Sequence, residues 1–284
     1  MHQDSRSELP PAASPPPRAR WRPDPARLGR LRWATGLWLF LFAATHLTNH
    51  ALGLVSLRAM EAGRELFLSF WRLPPIEASL ALALLVHVAL GLHRLWQRRT
   101  LHLRAVEVLQ LALGLSIPLY LTGHVLNNGW LHRCCGLIDS YAHLLGRIWP
   151  DGAWSQTTLT LLVWLHGAIG VQQRLRLEPF YHRLRPWLLV AATLLPVLAI
   201  GGMVSAGREL AVLRALDPVA WRELAEPQGW TLDAAFRERF VATPERWIVR
   251  GFLVLVAAVL LMRALRGLWE RRRRVRLLYP GEDN

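Results

Sequence analysis

The chain has 284 residues, 52% of them hydrophobic, and a formal net charge of +14. Every basic residue is arginine, and the arginines gather at the ends of apolar runs, which argues for membrane topology and against a nucleic-acid partner. The only two cysteines, Cys134 and Cys135, are adjacent and cannot build a disulfide framework, so they read as two ordinary loop thiols.

Residues 1–32 are rich in Pro, Ser, Ala and Arg and lack the short apolar core of a signal peptide, so they read as a disordered basic tail. Apolar stretches of about 20 residues then recur, each nearly free of charge, the length that crosses a bilayer core of about 30 Å. A soluble chain of this size would break its apolar residues into amphipathic stripes instead. The expected spans are residues 33–57, 75–95, 105–126, 155–172, 187–204 and 247–265. Pro118 and Pro196 fall inside spans three and five, where packing against neighbouring helices tolerates a kink. Trp33, Trp96, Trp154, Trp187, Trp247 and Trp269 stand near span ends, as interfacial aromatics do. Residues 206–246 mix charges with prolines and read as a small cap between spans five and six, and residues 271–284 read as a basic linker. The expectation is an all-α integral membrane protein of six transmembrane helices, four of them in an up-down bundle.

Arginine placement sets the expected orientation. Six arginines lie between Arg18 and Arg32. The connection after span two carries Arg94, Arg98, Arg99 and Arg104, and that after span four carries Arg174, Arg176, Arg183 and Arg185. Arg263, Arg266, the run Arg271 to Arg274 and Arg276 end span six, while the opposite loops carry fewer arginines or mix them with acids. By the positive-inside rule both termini are cytoplasmic. The expected location is the bacterial inner membrane.

Five histidines lie within the spans: His46, His50, His87, His124 and His166. An ionisable side chain at membrane depth is costly and points to function, although each ring also has a plainer use in bonding a neighbouring helix. Counted from the nearest cytoplasmic arginine at 1.5 Å per residue, His87 and His166 stand about 10–12 Å up, and His46 and His124 about 21 and 30 Å. These heights give an inner layer from spans two and four and an outer layer from spans one and three. Helices facing across an up-down bundle share a layer, and two neutral imidazoles from facing helices are the axial ligands of a six-coordinate electron-transfer haem. The expected cofactors are therefore two haems b, one held by His87 and His166 and the other by His46 and His124. His50, one turn beyond His46, is the competing outer ligand. Gly91 and Gly170 follow His87 and His166 by one turn, where missing side chains would admit a flat ring. Zinc or copper would want three or four converging ligands, and the spans add only Glu77, Glu107 and Gln110 near their edges.

One histidine in each of four spans at ~40-residue spacing resembles the dihaem membrane anchor of succinate dehydrogenases and fumarate reductases. The segment His46-Leu47-Thr48-Asn49-His50 is similar to a stretch in the first span of such anchors, whose first histidine is the ligand. A closer resemblance, over residues 33–276, is to the N-terminal membrane region of certain bacterial class III adenylate cyclases. It is carried by Thr45 to Asn49, Gly53, Ser56, Met60, Glu61, Gly63 and Arg64, by Leu92 to Leu103, and by Gln110 to Tyr120. It implies a redox-sensing input and anchor for a cytoplasmic cyclase or iron–sulfur domain, fused or separate, dimerising through that output domain. Val275 to Pro280 reads as the opening strand of such a domain. The alternatives are the cytochrome b anchor of a quinone oxidoreductase and a cofactor-free membrane anchor. A quinone head group would find the amides of Asn127, Asn128, Gln172 and Gln173 at span edges.

Overall fold

The computed structural model describes residues 24–98, 103–226 and 234–278, and every regular element among them is a helix. The expectations for residues 1–23, Arg99, His102, Pro227 and residues 279–284 lie outside the described residues.

Helix α1 covers Pro25–Ala51, where a disordered tail was expected up to residue 32. The Asp24 carboxylate accepts from the Ala26 amide at 2.9 Å, and Pro25 occupies the first turn, where its missing N–H costs nothing. The helix ends six residues before the expected limit of span one, in a 3₁₀ turn over Leu52–Leu54. Ser56 then caps α2, Leu57–Trp71, by accepting from the Ala59 amide at 3.0 Å. Helices α3, Pro74–Gln97, and α4, Ala105–Val125, follow the expected spans, and α4 runs through a π turn at Leu126–Trp130 into α5, Leu131–Cys135. Cys134 and Cys135 are not loop thiols: they close α5 and are joined to each other by a disulfide, the bonding partner being the next residue along the chain. Helix α6 covers Tyr141–Ile148 and α7 covers Ala153–Leu175.

The second half departs further from expectation. Helix α8 runs unbroken over Tyr181–Leu216, through the expected end of span five and into the expected cap. Thirty-six residues make about 54 Å of helix, longer than a bilayer core is thick. Helix α9, Pro218–Ala225, and α10, Ala234–Arg237, lead through a second π turn, Glu238–Ala242, into α11, Thr243–Leu278. Val275 to Leu278, expected to open a strand, continue α11 instead. The Arg and Leu residues there are strong helix formers, and no Gly or Pro interrupts them.

Four helical stretches are long and apolar enough to cross a membrane: Pro74–Gln97, Ala105–Cys135, Tyr181–Leu216 and Ala234–Glu270. In their most apolar windows only 6 to 22% of residues are buried, so the leucines and valines face outwards, as lipid-facing surfaces do and soluble surfaces rarely do. Helices α1 and α7 are also long enough, at 27 and 23 residues, but Thr, Asn, Ser, Gln and His dilute their apolar runs.

Helix α1 packs on α3, α7 and α8, and α4 packs on α7. Helix α8 lies along α1 and α7, while α11 lies along α3 and α4, so the last helix belongs to the wall of the bundle. At one end, Arg263 Nε of α11 donates to the Arg98 carbonyl at 2.9 Å, and the Arg266 guanidinium lies 5.5 Å from the Trp96 ring centroid. At the other, a Cβ on Gly123 of α4 would stand 2.6 Å from the Glu245 carboxylate of α11. The seat of α8 is equally close, Gly202 packing directly on the His50 carbonyl and Gly53 on the Gly202 carbonyl.

A cap closes the bundle end remote from the arginine-rich connections. Leu57 and Met60 of α2, Tyr141, Ala142 and Leu145 of α6, and Met203, Ala206 and Leu210 of α8 form its core. Asp139 accepts from Arg64 at 3.3 Å and from Arg72, and the Glu61 carboxylate accepts from the Ala142 amide at 3.0 Å. His143, only 3% exposed, donates from Nδ1 to the Ala225 carbonyl at 2.7 Å and ties α6 to α9.

Burial holds His143 below the usual histidine range, outweighing the raising effect of the Ala225 carbonyl. Because the unfolded chain then takes up this proton first, the contribution of His143 is complete above pH about 6.5. It is lost as pH falls towards the folded-state value, at up to about 1.4 kcal/mol per pH unit. Thermal unfolding in detergent from pH 8 to 5 is expected to show a fall on the acid side that flattens in His143→Gln. Identical pH profiles for the two proteins would contradict the assignment.

Candidate paired-histidine site

Four half-buried imidazoles meet in two pairs inside the bundle. The rings of His87 on α3 and His166 on α7 have centroids 6.3 Å apart, and those of His46 on α1 and His124 on α4 are 6.0 Å apart. Each pair joins helices that face one another diagonally, α3 with α7 and α1 with α4. His50 also stands near His124, close enough for the two rings to act on each other electrostatically. Its centroid is 4.6 Å from that of His46 and 5.4 Å from that of Tyr141, which places it one turn nearer the cap.

The inner pair is built by helix packing at two glycines. His87 turns its Nδ1–Cε1 edge onto α1, where a Cβ on Gly36 would stand 2.7 Å from Cε1. From there Nδ1 reaches the Arg32 carbonyl at 3.1 Å, with the Thr35 hydroxyl at 3.4 Å. His166 repeats the arrangement on α4: a Cβ on Gly114 would stand 2.8 Å from its Cε1, and its Nδ1 reaches the Gln110 carbonyl at 3.2 Å. The Gln110 amide returns a bond to the His166 carbonyl at 3.1 Å. A carbonyl oxygen only accepts, so both rings carry the proton on Nδ1 and leave the Nε2 lone pair free to bind a metal. In the outer pair, Nδ1 of His124 lies 2.9 Å from Oε1 of Gln156 and 3.3 Å from Nδ2 of Asn128.

These contacts reveal a repeat that reading the spans one by one overlooks. Arg32 and Gln110, Gly36 and Gly114, His46 and His124, and His50 and Asn128 are each 78 residues apart. His87 and His166 are 79 apart, as are Glu77 and Gln156. The signal, a glycine ten residues ahead of the histidine in spans one and three, was legible, but it names a glycine one helix away from the ring it touches. At Gly91 and Gly170, the glycines expected to admit a flat ring, a Cβ on Gly91 would meet nothing within 4 Å, and one on Gly170 only the Gln110 amide at 3.5 Å.

The span-edge amides and the other histidines have local surroundings. Asn127 bonds the Gly123 carbonyl of its own helix at 2.8 Å, and Gln172 is exposed. His93 lies by Gln97, His132 bonds the Leu137 carbonyl at 2.9 Å, and the His182 ring lies beside that of Tyr181. Among the described residues no three His, Cys, Asp or Glu side chains converge on one point. Several other residues of the His46–Arg64 stretch seat the cap. Asn49 donates to the Tyr141 hydroxyl at 2.9 Å, Gly63 lies against Asn49, and Arg64 binds Asp139. Comparison with family models, curated proteins and solved structures finds no match for the chain.

Gly36→Val is expected to push the His87 ring off the Arg32 carbonyl, at an overpacking cost of about 1–3 kcal/mol. Thermal unfolding and the ¹⁵N shifts of labelled imidazole would read the loss of stability and of the Nδ1–H tautomer. A protein of unchanged stability and unchanged His87 shifts would refute the close approach.

Proposed function

We propose that the chain is a dihaem b-type cytochrome module of six transmembrane helices, with His87 and His166 as ligands of an inner haem and His46 and His124 as ligands of an outer one. The observation that carries the reading is the spacing of the rings. A metal–imidazole bond is about 2.0–2.1 Å and the nitrogen lies about 1.2 Å from its ring centroid, so two rings on opposite sides of one iron have centroids about 6.5 Å apart. The two pairs, at 6.3 and 6.0 Å, fall within about half an ångström of that value. Hydrogen bonding agrees: Nδ1 of His87 and His166 is engaged by carbonyls, the partner that orients a ligating imidazole.

Bound haem would supply one-electron transfer across the apolar layer. The protein's part is to hold four neutral imidazoles in fixed tautomers and to keep the bundle shut on both sides. Helices α1 and α7 cross the membrane with the other four in this reading, since they stand inside the wall that α3, α4, α8 and α11 complete. The arginine-rich connections then lie at the cytoplasmic face of a bacterial inner membrane, with both termini cytoplasmic and the cap outside. The resemblance to cyclase membrane regions makes a cytoplasmic output, cAMP formation, the proposed destination of the redox signal. Helix α11 is suited to carry it. It packs on α3 and α4, which hold one ligand of each pair, and it bonds the chain at Arg98 before leaving the bundle. A change of packing that differs by a few kcal/mol between oxidation states would suffice.

Purified protein is expected to contain two haems per chain. His87→Ala and His124→Ala should each lose one and keep the other spectrally recognisable, because the pairs share no ligand. Protein purified without haem would end the reading, leaving four histidines that only pack helices. Reporter fusions after Arg99, Arg176 and Arg274 are expected to report cytoplasm, and an external signal from any of them would overturn the topology.

A further inference from the structure

The paired histidines are not held alike. His87 and His166 donate to main-chain carbonyls, acceptors that no side-chain replacement removes. His124 depends on side chains: Oε1 of Gln156 stands 2.9 Å from its Nδ1, and Nδ2 of Asn128 stands 3.3 Å from the same atom. The two make opposite demands. An oxygen at Nδ1 requires the proton there and frees Nε2, whereas an amide nitrogen requires a bare Nδ1 and puts the proton on Nε2, where it blocks a metal. One nitrogen serves only one of them at a time, and the shorter contact is with the oxygen.

We propose that Gln156 is a positioning residue for the outer pair, fixing His124 in the Nδ1–H tautomer and thereby setting the basicity of its ligating Nε2. The proposal rests on the haem reading. The internal repeat sharpens it. Glu77 is the counterpart of Gln156 on α3, and its carboxylate is bound to Arg133 of α5. His50 takes the place of Asn128, its ring 4.6 Å from that of His46. The two halves of the outer site therefore differ, and the acceptor on His124 is a side chain that substitution can change. Gln156 sits in the first turn of α7, ten residues before His166 on the same helix, so one rigid element orients a ring of each layer.

An acceptor on the far nitrogen makes a ligating imidazole more basic, and a more basic ligand favours the oxidised metal. Gln156→Glu, with a carboxylate in place of the amide, is expected to keep both haems and move one midpoint to lower potential. Gln156→Leu, with no acceptor, is expected to weaken outer-haem retention about 10- to 100-fold. The experiment is a redox titration of the reduced-minus-oxidised spectrum of the full chain with both variants, together with haem content. The outer component is identified as the one missing in His124→Ala. A shift confined to that component supports the role. Two haems with both midpoints unmoved in Gln156→Glu, or both moved together, would overturn it while leaving the haem reading intact. Wild-type protein without haem would instead remove the reading beneath it.

Discussion

A histidine carried into an apolar bundle brings an N–H that must be bonded, and the packing of α1, α3, α4 and α7 follows from where that proton goes. Leaving it unbonded would cost roughly 1–3 kcal/mol. The nearest acceptors are helix carbonyls already used once by their own helix, each with a lone pair to spare. Reaching one requires the ring to lie on the neighbouring backbone, and a Cβ at the point of contact forbids that. Gly36 and Gly114 open the surface, α3 closes on α1 and α7 closes on α4, and the two rings are brought together across the α3–α7 diagonal with their planes nearly perpendicular. Helix packing and the pairing of the rings are thus one arrangement. The glycines are as much part of the site as the rings.

The cap shows a second use of the same helices. Asn49 stands between His46 and His50 in sequence, yet it faces α2 and the Tyr141 hydroxyl. Much of the stretch from Gly53 to Arg64 is spent on turning the chain, capping α2 and holding Asp139 and Ala142.

Much was legible in the sequence, because the apolar runs and the arginines are long-range averages. Helices stand where spans two, three and four were expected, and the four histidine rings lie in the two pairs that their heights implied. What escaped was set by local chemistry or by partners far along the chain. Asp24 with Pro25 starts α1 inside the apparent tail. Ser56 begins a helix too short and too mixed to register as a span. No breaker stops α8 at residue 204, since the apolar run ends there but the helix does not. The seats of Gly36 and Gly114, and the reach of Gln156 to His124, depend on which helices touch, and periodicity within one helix contains no such information. The seat of α11 on α3 and α4 is hidden from the sequence for the same reason.

The two long helices that end the chain occupy matching positions around the repeat. Helix α8 covers the side where α1 meets α7, and α11 covers the side where α3 and α4 stand, although the two run in opposite directions. Together they seal both flanks of the axis on which the histidine pairs lie. All four histidine helices precede both seals in the chain, so synthesis completes the cradle before it completes the walls. A flat molecule as broad as a porphyrin would pass between the rings sideways while the flanks are still open. If haem is what the pairs hold, its loading would be a step of biogenesis, timed by the order in which the helices leave the ribosome, and a finished bundle would keep what it had captured.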